Sequence, residues 1–457
     1  MKPSIEARKQ DLVKSALQSF VMTPVPDAVL VNDQVQQWLK KYEIAFAMDW
    51  LHTGEARGFK QSGVNALIEL TSILRTEERT YRRGTRPERL AVHVAHSIVD
   101  VFQNCLASIP TLDNIMAIER EIRQRFAAKA VTCTHCIPCR IIPEHASSFS
   151  VGPVKFYSRE DLIKRENISQ GNPLKEMSYV PLLEFMQSQS AYWVADVTVE
   201  GFDDVAGLER ANIAIDLALT AVQIAIPPYY SRSMARLTDR TLPSTIGSVT
   251  KVGGNARFGS QRCDPGLGFS VGAFDQFLSR SAPILVSIGN RVRAYITDNA
   301  VLPKLDQSWS DAAYWLHEGL TEPLDTVAVT KLETAIEVLL SAASSKNSGS
   351  RLEAAFSSFY GLSPECSYPS GSNRKVKDVV KAIVESRSRI LHGTLSTLTA
   401  DSLATDNHGG RRLLELLCMD LLAIFSLKLD AYASITAPKD NIKNFLQFVS
   451  AERKSPT

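Results

Sequence analysis

The stretch "VKDVVKAIVESRSRILHG", residues 376–393, decides how the C-terminal third of the chain folds. Val376, Val379, Val380, Ile383 and Val384 recur at steps of three and four, the period of an amphipathic helix. At about 100° per residue, with Val376 as zero, these positions together with Ile390 and Leu391 form an arc centred near about 20°. Arg387 falls at that same angle, in the middle of the face meant for burial. An unpaired buried charge is costly, so Arg387 must meet a carboxylate or open on a cleft that receives an anion. Gly393 suits the position just past a helix end, so the predicted helix stops at about His392. The imidazole can then turn toward Arg387, and a helix C-terminus favours its protonated form.

The surrounding sequence places this helix in a bundle. "WSDAAYWLHEGL", "DTVAVTKLETAIEVLLSAAS", "SRLEAAFSSFYGL" and "RRLLELLCMDLLAIFSLKLDAYASI" carry apolar stripes and are joined by mostly short polar connections. Spacing alone does not single out the motif. R-x4-H recurs at Arg140 and His145, and R-x6-H at Arg86/His93 and Arg89/His96. An arginine on a helix stripe also serves as a structural anchor at a subunit interface, with the histidine as a capping side chain.

A bundle helix ending in "RSRILHG", with Ser388 directly after the arginine and Gly393 directly after the histidine, resembles the HEPN superfamily, whose signature is R-x(4–6)-H. The nearer likeness is to ApeA-like and abortive-infection HEPN proteins. "KLETAIEVLL" resembles the acidic helix these families place before the motif helix, which points to Glu337. Two features depart from the pattern: Ile383-Val384 stand where an aromatic is usual, and the 364–375 connection is loose.

The resemblance covers roughly residues 306–457. It implies a metal-independent endoribonuclease that works as a homodimer through the C-terminal bundle, with no cofactor for catalysis. RNA would supply its own nucleophile, the 2′-hydroxyl, while His392 moves the proton and Arg387 clamps the phosphate. Ser388 either bonds a phosphate oxygen, orients His392 or simply packs. Glu337 either pairs with Arg387 or is helix surface. A defence-type or toxin-type effector with an unknown trigger or antitoxin is implied by the likeness alone. The other reading, from a different class, is a non-catalytic HEPN-type dimerisation and nucleotide- or ligand-binding module.

Upstream the chain reads as two further segments, giving a multi-domain α+β protein. Residues 1–130 are read as mainly helical, from patterns such as "DQVQQWLKKYEIAFAMDWL" and "ERLAVHVAHSIVDVFQNCLASI". "RTEERTYRRGTRPERL" between them reads as a basic, solvated loop, with an RNA-contacting patch as the sharper alternative. Residues 131–300 are read as an α/β regulatory or sensing domain, with one buried helix at about 206–226. Residues 301–457 form the helical bundle. The glycine-rich 229–275 region lacks a phosphate-loop motif opening onto a helix and reads as turns between short strands.

With 51 basic and 49 acidic residues the chain is no polycation, so nucleic-acid binding must come from a local patch or cleft. The start, "MKPSIEARKQDLVKSALQSF", has no apolar secretory core. The most apolar run, "IAIDLALTAVQIAIPP", is shorter than the roughly 20 residues a membrane span needs. These features and seven cysteines, an odd number, lead us to expect a cytoplasmic protein with no membrane partner. Cys133, Cys136 and Cys139 form two overlapping C-x2-C steps. With His145 beyond them they are candidates for a structural zinc, against the alternative of free reduced thiols.

Overall fold

The structure is a computed structural model. It describes residues 4–24, 32–50, 55–102, 109–142, 146–168, 173–238, 243–252, 255–266, 268–342, 345–394 and 410–454. The fold is a mixture of helices and short sheets, as the multi-domain α+β reading expects. It divides into two compact units, Met1–Cys133 with Val199–Glu209, and Thr134–Thr198 with Arg210–Thr457.

The first unit contains α1 (Ile5–Gln18), β1 (Phe20–Pro24), α2 (Asn32–Lys41), β2 (Phe46–Trp50), β3 (Glu55–Phe59), α3 (Gln61–Glu77), α4 (Arg79–Gly84), α5 (Pro87–Val101) and α6 (Leu112–Lys129). Its core gathers Leu12, Phe59, Leu67, Leu90, Ile98 and Ile122 from α1, β3, α3, α5 and α6. The helical pattern read through "DQVQQWLKKYEIAFAMDWL" breaks in the middle. Glu43 takes a left-handed turn (φ 56°), Ile44 is buried after it, and the chain continues as β2. The strands pair in the antiparallel order β1-β3-β2, with Phe59 opposite both Phe20 and Phe46. Three aromatic rings at one register position form this sheet's contribution to the core, with centroids 5.3 and 6.4 Å apart.

The basic stretch expected as a loop is mostly helical, forming the end of α3, α4 and the start of α5. Three of its six arginines, Arg75, Arg86 and Arg89, bond within the unit. Arg75 donates to the carbonyls of Tyr81, Thr85 and Arg82, while Arg86 pairs with Glu209 and Arg89 with Asp204. The loose R-x6-H pairs of the sequence thus contain arginines that serve as tertiary ion pairs.

The second unit begins within β4 (Val131–Arg140) and continues through β5 (Phe149–Val151), β6 (Val154–Ser158), α7 (Arg159–Glu166) and α8 (Pro173–Ser188) into β7 (Trp193–Phe202), which belongs to it as far as Thr198. α9 (Asp204–Ala225), α10 (Pro228–Ser231), β8 (Ala235–Arg236) and a hairpin of β9 (Thr245–Val252) with β10 (Asn255–Arg262) follow. The five-stranded sheet has the order β5-β6-β7-β4-β8. α9 is the buried helix expected from its composition. Ile215, Leu217, Ala218, Leu219 and Val222 are wholly covered, and Asp216 is tolerated because Arg236 binds both its oxygens at 2.7 Å.

The remaining elements are helical: α11 (Val271–Arg280), α12 (Ala282–Thr297), α13 (Pro303–Thr321), α14 (Asp325–Leu339), α15 (Ser345–Ala355) ending in a π turn (Phe356–Tyr360), α16 (Val376–Leu391), α17 (Arg411–Ala433) and α18 (Ile442–Lys454). A boundary drawn at residue 300 would fall inside this unit. The reason is that α12 packs with the helices that follow it. The Ser287 and Ser426 hydroxyls meet at 2.8 Å, and Arg291, 6% exposed, bridges Asp306 of α13 and Asp430 of α17. The turn before β6 also presses on α12: a Cβ on Gly289 would lie 2.5 Å from the Gly152 nitrogen, so both positions require glycine. Among the described residues no helix is long and apolar enough to cross a membrane.

Breaking a buried ion pair by removing one partner leaves the other charge uncompensated. Arg291→Ala is therefore expected to cost about 3–5 kcal/mol, read as a lower denaturation midpoint of the second unit. A cost within the range of an ordinary surface substitution would show that Arg291 does not join α12 to the later helices.

Candidate active site

α16 spans Val376–Leu391 and buries Val376, Val379, Val380, Ile383 and Ile390, the stripe read from the sequence. It packs on α14 and α15. Leu391, on the same stripe by periodicity, is 59% exposed, so the last apolar position lies outside the packed face. The helix ends as expected: His392 is the cap, its backbone N–H reaches the Ser388 carbonyl at 3.0 Å, and Gly393 turns with φ 70°.

Arg387 faces its carboxylate within the same chain. Its Nη1 donates to Glu337 of α14, whose other oxygen accepts from the Ser348 hydroxyl of α15. The Arg387 side chain retains 27% exposure and Glu337 12%. Of the two alternatives left open for Glu337, pairing is the one observed. The fork is only partly used, because Arg387 Nε is buried without a hydrogen-bond partner among the described residues.

Beside this pair lies Glu333, one helical turn before Glu337 and 2% exposed. Burial pushes its carboxyl up to about 8; the neighbouring Glu337 adds to the rise and Arg387 opposes it. A second carboxylate close to Glu337 in a covered place cannot ionise cheaply, which favours the protonated form of Glu333 near neutral pH. Glu333 and Ser348 were not singled out from the sequence. For Glu333 the signal was present, since "ETAIE" places two acids at i and i+4 on a helix whose other stripe positions are apolar.

The remaining predicted site residues separate. His392 is exposed, and its imidazole has no hydrogen-bond partner among the described residues. The Ser388 side chain likewise makes no hydrogen bond among them; its carbonyl holds the cap. At the duplicate R-x4-H, Arg140 is 3% exposed and pairs with Asp264 at 2.8 Å, while His145 lies outside the described residues.

The cysteine cluster forms no knuckle, because "CTHCIPC" runs along the extended strand β4 instead of turning. Side chains alternate faces along a strand, so a three-residue step sends Cys136 and Cys139 to opposite sides. Burial drives the Cys139 thiol well above its ordinary range and pushes Cys136 up to about 12. Among the described residues no group of three or more His, Cys, Asp or Glu side chains could hold a metal ion.

No protein-family model matches this chain, and no curated protein or solved structure is significantly similar to it.

Glu333 gives the site a pH signature. Its folded-state pKa, about 8, lies above the ordinary 4.5, so the folded chain keeps a proton that the unfolded chain releases. Its contribution to stability is full below about pH 4.5 and is lost as pH rises through about 8. Glu333→Gln keeps the shape and removes the titration. The expected result is a melting temperature that falls less steeply between those limits than the parent's; parallel curves would place an ionised Glu333 in the folded protein.

Proposed function

We propose that the C-terminal helices form a HEPN-type endoribonuclease site that cuts RNA without a metal and is completed by a second copy of the chain. The observation that carries this reading is the end of α16, where Arg387 is fixed on Glu337 and His392 stands exposed on the cap just after it.

RNA brings its own nucleophile, the 2′-hydroxyl. In this reading the 2′ oxygen attacks the adjacent phosphorus and the bond to the 5′ oxygen breaks, leaving a 2′,3′-cyclic phosphate and a 5′-hydroxyl end. One proton leaves the 2′-hydroxyl and another reaches the departing 5′ oxygen, so two proton carriers are needed. Each chain offers one exposed histidine at this motif. Two copies about a two-fold axis supply both, one imidazole neutral to accept and one protonated to donate. Arg387 is held by Glu337, which the Ser348 hydroxyl steadies in turn, and the exposed part of its guanidinium can meet the phosphoryl oxygens as charge develops. Exposed Leu391 beside His392 suits burial against the second copy. No step requires a cofactor.

The biological reading that follows is a cytoplasmic, defence-type or toxin-type effector, with the rest of the chain recognising a trigger or a restraining partner. His392→Ala is expected to lower cleavage of total RNA by at least about 10²-fold, with melting temperature and dimer population unchanged. Cleavage or cellular toxicity equal to the parent's contradicts the reading and leaves the bundle as a non-catalytic binding module.

A further inference from the structure

A cavity of about 780 Å³ lies in the second unit and includes none of Arg387, Glu337 or His392 in its lining. It is within the range of small-molecule sites. Its walls come from the chain after α9, the base of the β9–β10 hairpin, the C-terminal half of α13, Lys331 of α14 and Arg411 of α17.

Six basic and four acidic side chains line it, and their depths differ. Glu415 is wholly buried and binds Arg232 through both oxygens at 2.8 and 2.6 Å, while Arg411 reaches the same carboxylate at 2.7 Å. Arg411 also meets Asp325 at 3.0 Å. Asp264, 8% exposed, takes Arg140 at 2.8 Å and Arg262 at 3.1 Å. The carboxylates therefore lie behind their guanidiniums, whereas Arg262 and Arg232 are 60% and 39% exposed. Arg232 spends Nε and Nη2 on Glu415, which fixes the plane of the fork and leaves Nη1 outside that pair. A guanidinium oriented by a buried carboxylate is a pre-organised anion donor.

The rest of the lining suits a different part of a ligand. Glu318 and Glu322, which flank Lys331 at 3.4 and 2.9 Å, are acceptors for hydroxyl or amino donors. His317 lies deeper, 5% exposed, and is engaged within the chain. Gln223 donates its amide to the carbonyls of Ser231 and Met234, so its oxygen must take the proton on His317 Nδ1, 3.0 Å away. Burial lowers the affinity of the ring for a proton, and its Nε2 stands 3.8 Å from Asp216 Oδ1. Tyr229 adds an aromatic face, 82% exposed, steadied edge-on by Tyr230.

We propose that this cavity binds a nucleoside phosphate. The phosphate would lie on the Arg232 and Arg262 edges, the sugar hydroxyls and base amino groups on the Glu318 and Glu322 acceptors, and the base against Tyr229. This goes beyond the nuclease reading and does not depend on it.

The test is thermal shift and calorimetric titration of the full chain with AMP, GMP, ATP, adenosine and inorganic phosphate. At least one nucleotide should raise the melting temperature saturably, and adenosine or phosphate alone should do so less. Arg262→Gln and Tyr229→Ala change exposed side chains and should fold normally while weakening the nucleotide about tenfold, equivalent to about 1.4 kcal/mol. His392→Ala should leave binding intact. The proposal is overturned if no nucleotide shifts the melt or if phosphate alone does as much. It is also overturned if both cavity variants bind like the parent, or if His392→Ala abolishes the shift.

Discussion

Glu337 accepts from Arg387 on one oxygen and from the Ser348 hydroxyl on the other, with the carboxyl of Glu333 pushed up by burial one turn away. That arrangement resolves a conflict between two demands on α16: its stripe must be buried to pack on α14 and α15, and its centre is a permanent cation. The cost of covering a guanidinium is met by a carboxylate at hydrogen-bonding distance and by leaving the side chain partly open. A second ionised acid would unbalance the cluster, and burial opposes it. The consequence is a last helical turn that points an oriented arginine and an exposed histidine away from the same short segment.

The second unit uses the same device elsewhere. Arg236 docks on Asp216, Arg232 and Arg411 share Glu415, and Arg291 bridges Asp306 and Asp430. In each case a covered carboxylate fixes a guanidinium and ties together segments distant in sequence. Overall charge near neutrality therefore conceals strongly directional local fields. α14 takes part in two of these environments: Lys331 lines the large cavity, and Glu333 and Glu337 serve the Arg387 cluster.

How much of this was legible follows from what is local. The α16 stripe, its end at His392 and the burial of α9 depend on near neighbours, and each could be read from periodicity and capping. Glu337 was visible as an acid on the preceding helix, but its pairing required the approach of α14 to α16. Glu333 escaped notice because a carboxyl on a stripe looks the same in sequence whether protonated or ionised. The three-stranded sheet of the first unit was lost to a helical pattern that a left-handed Glu43 interrupts. The cysteine spacing left zinc and free thiols open, because C-x2-C specifies a knuckle only on a turning backbone, and here it lies on a strand. The cavity could not be foreseen at all, since its lining runs from Arg140 to Arg411.

A double-mutant cycle on Arg387 and Glu337 tests the central interaction most directly, with Arg387→Gln, Glu337→Gln and the double variant compared by chemical denaturation. If the pair holds the site together, the two losses will overlap, with a coupling of at least about 1 kcal/mol. Losses that simply add would mean that the two side chains do not stabilise one another and that Arg387 is held by something else.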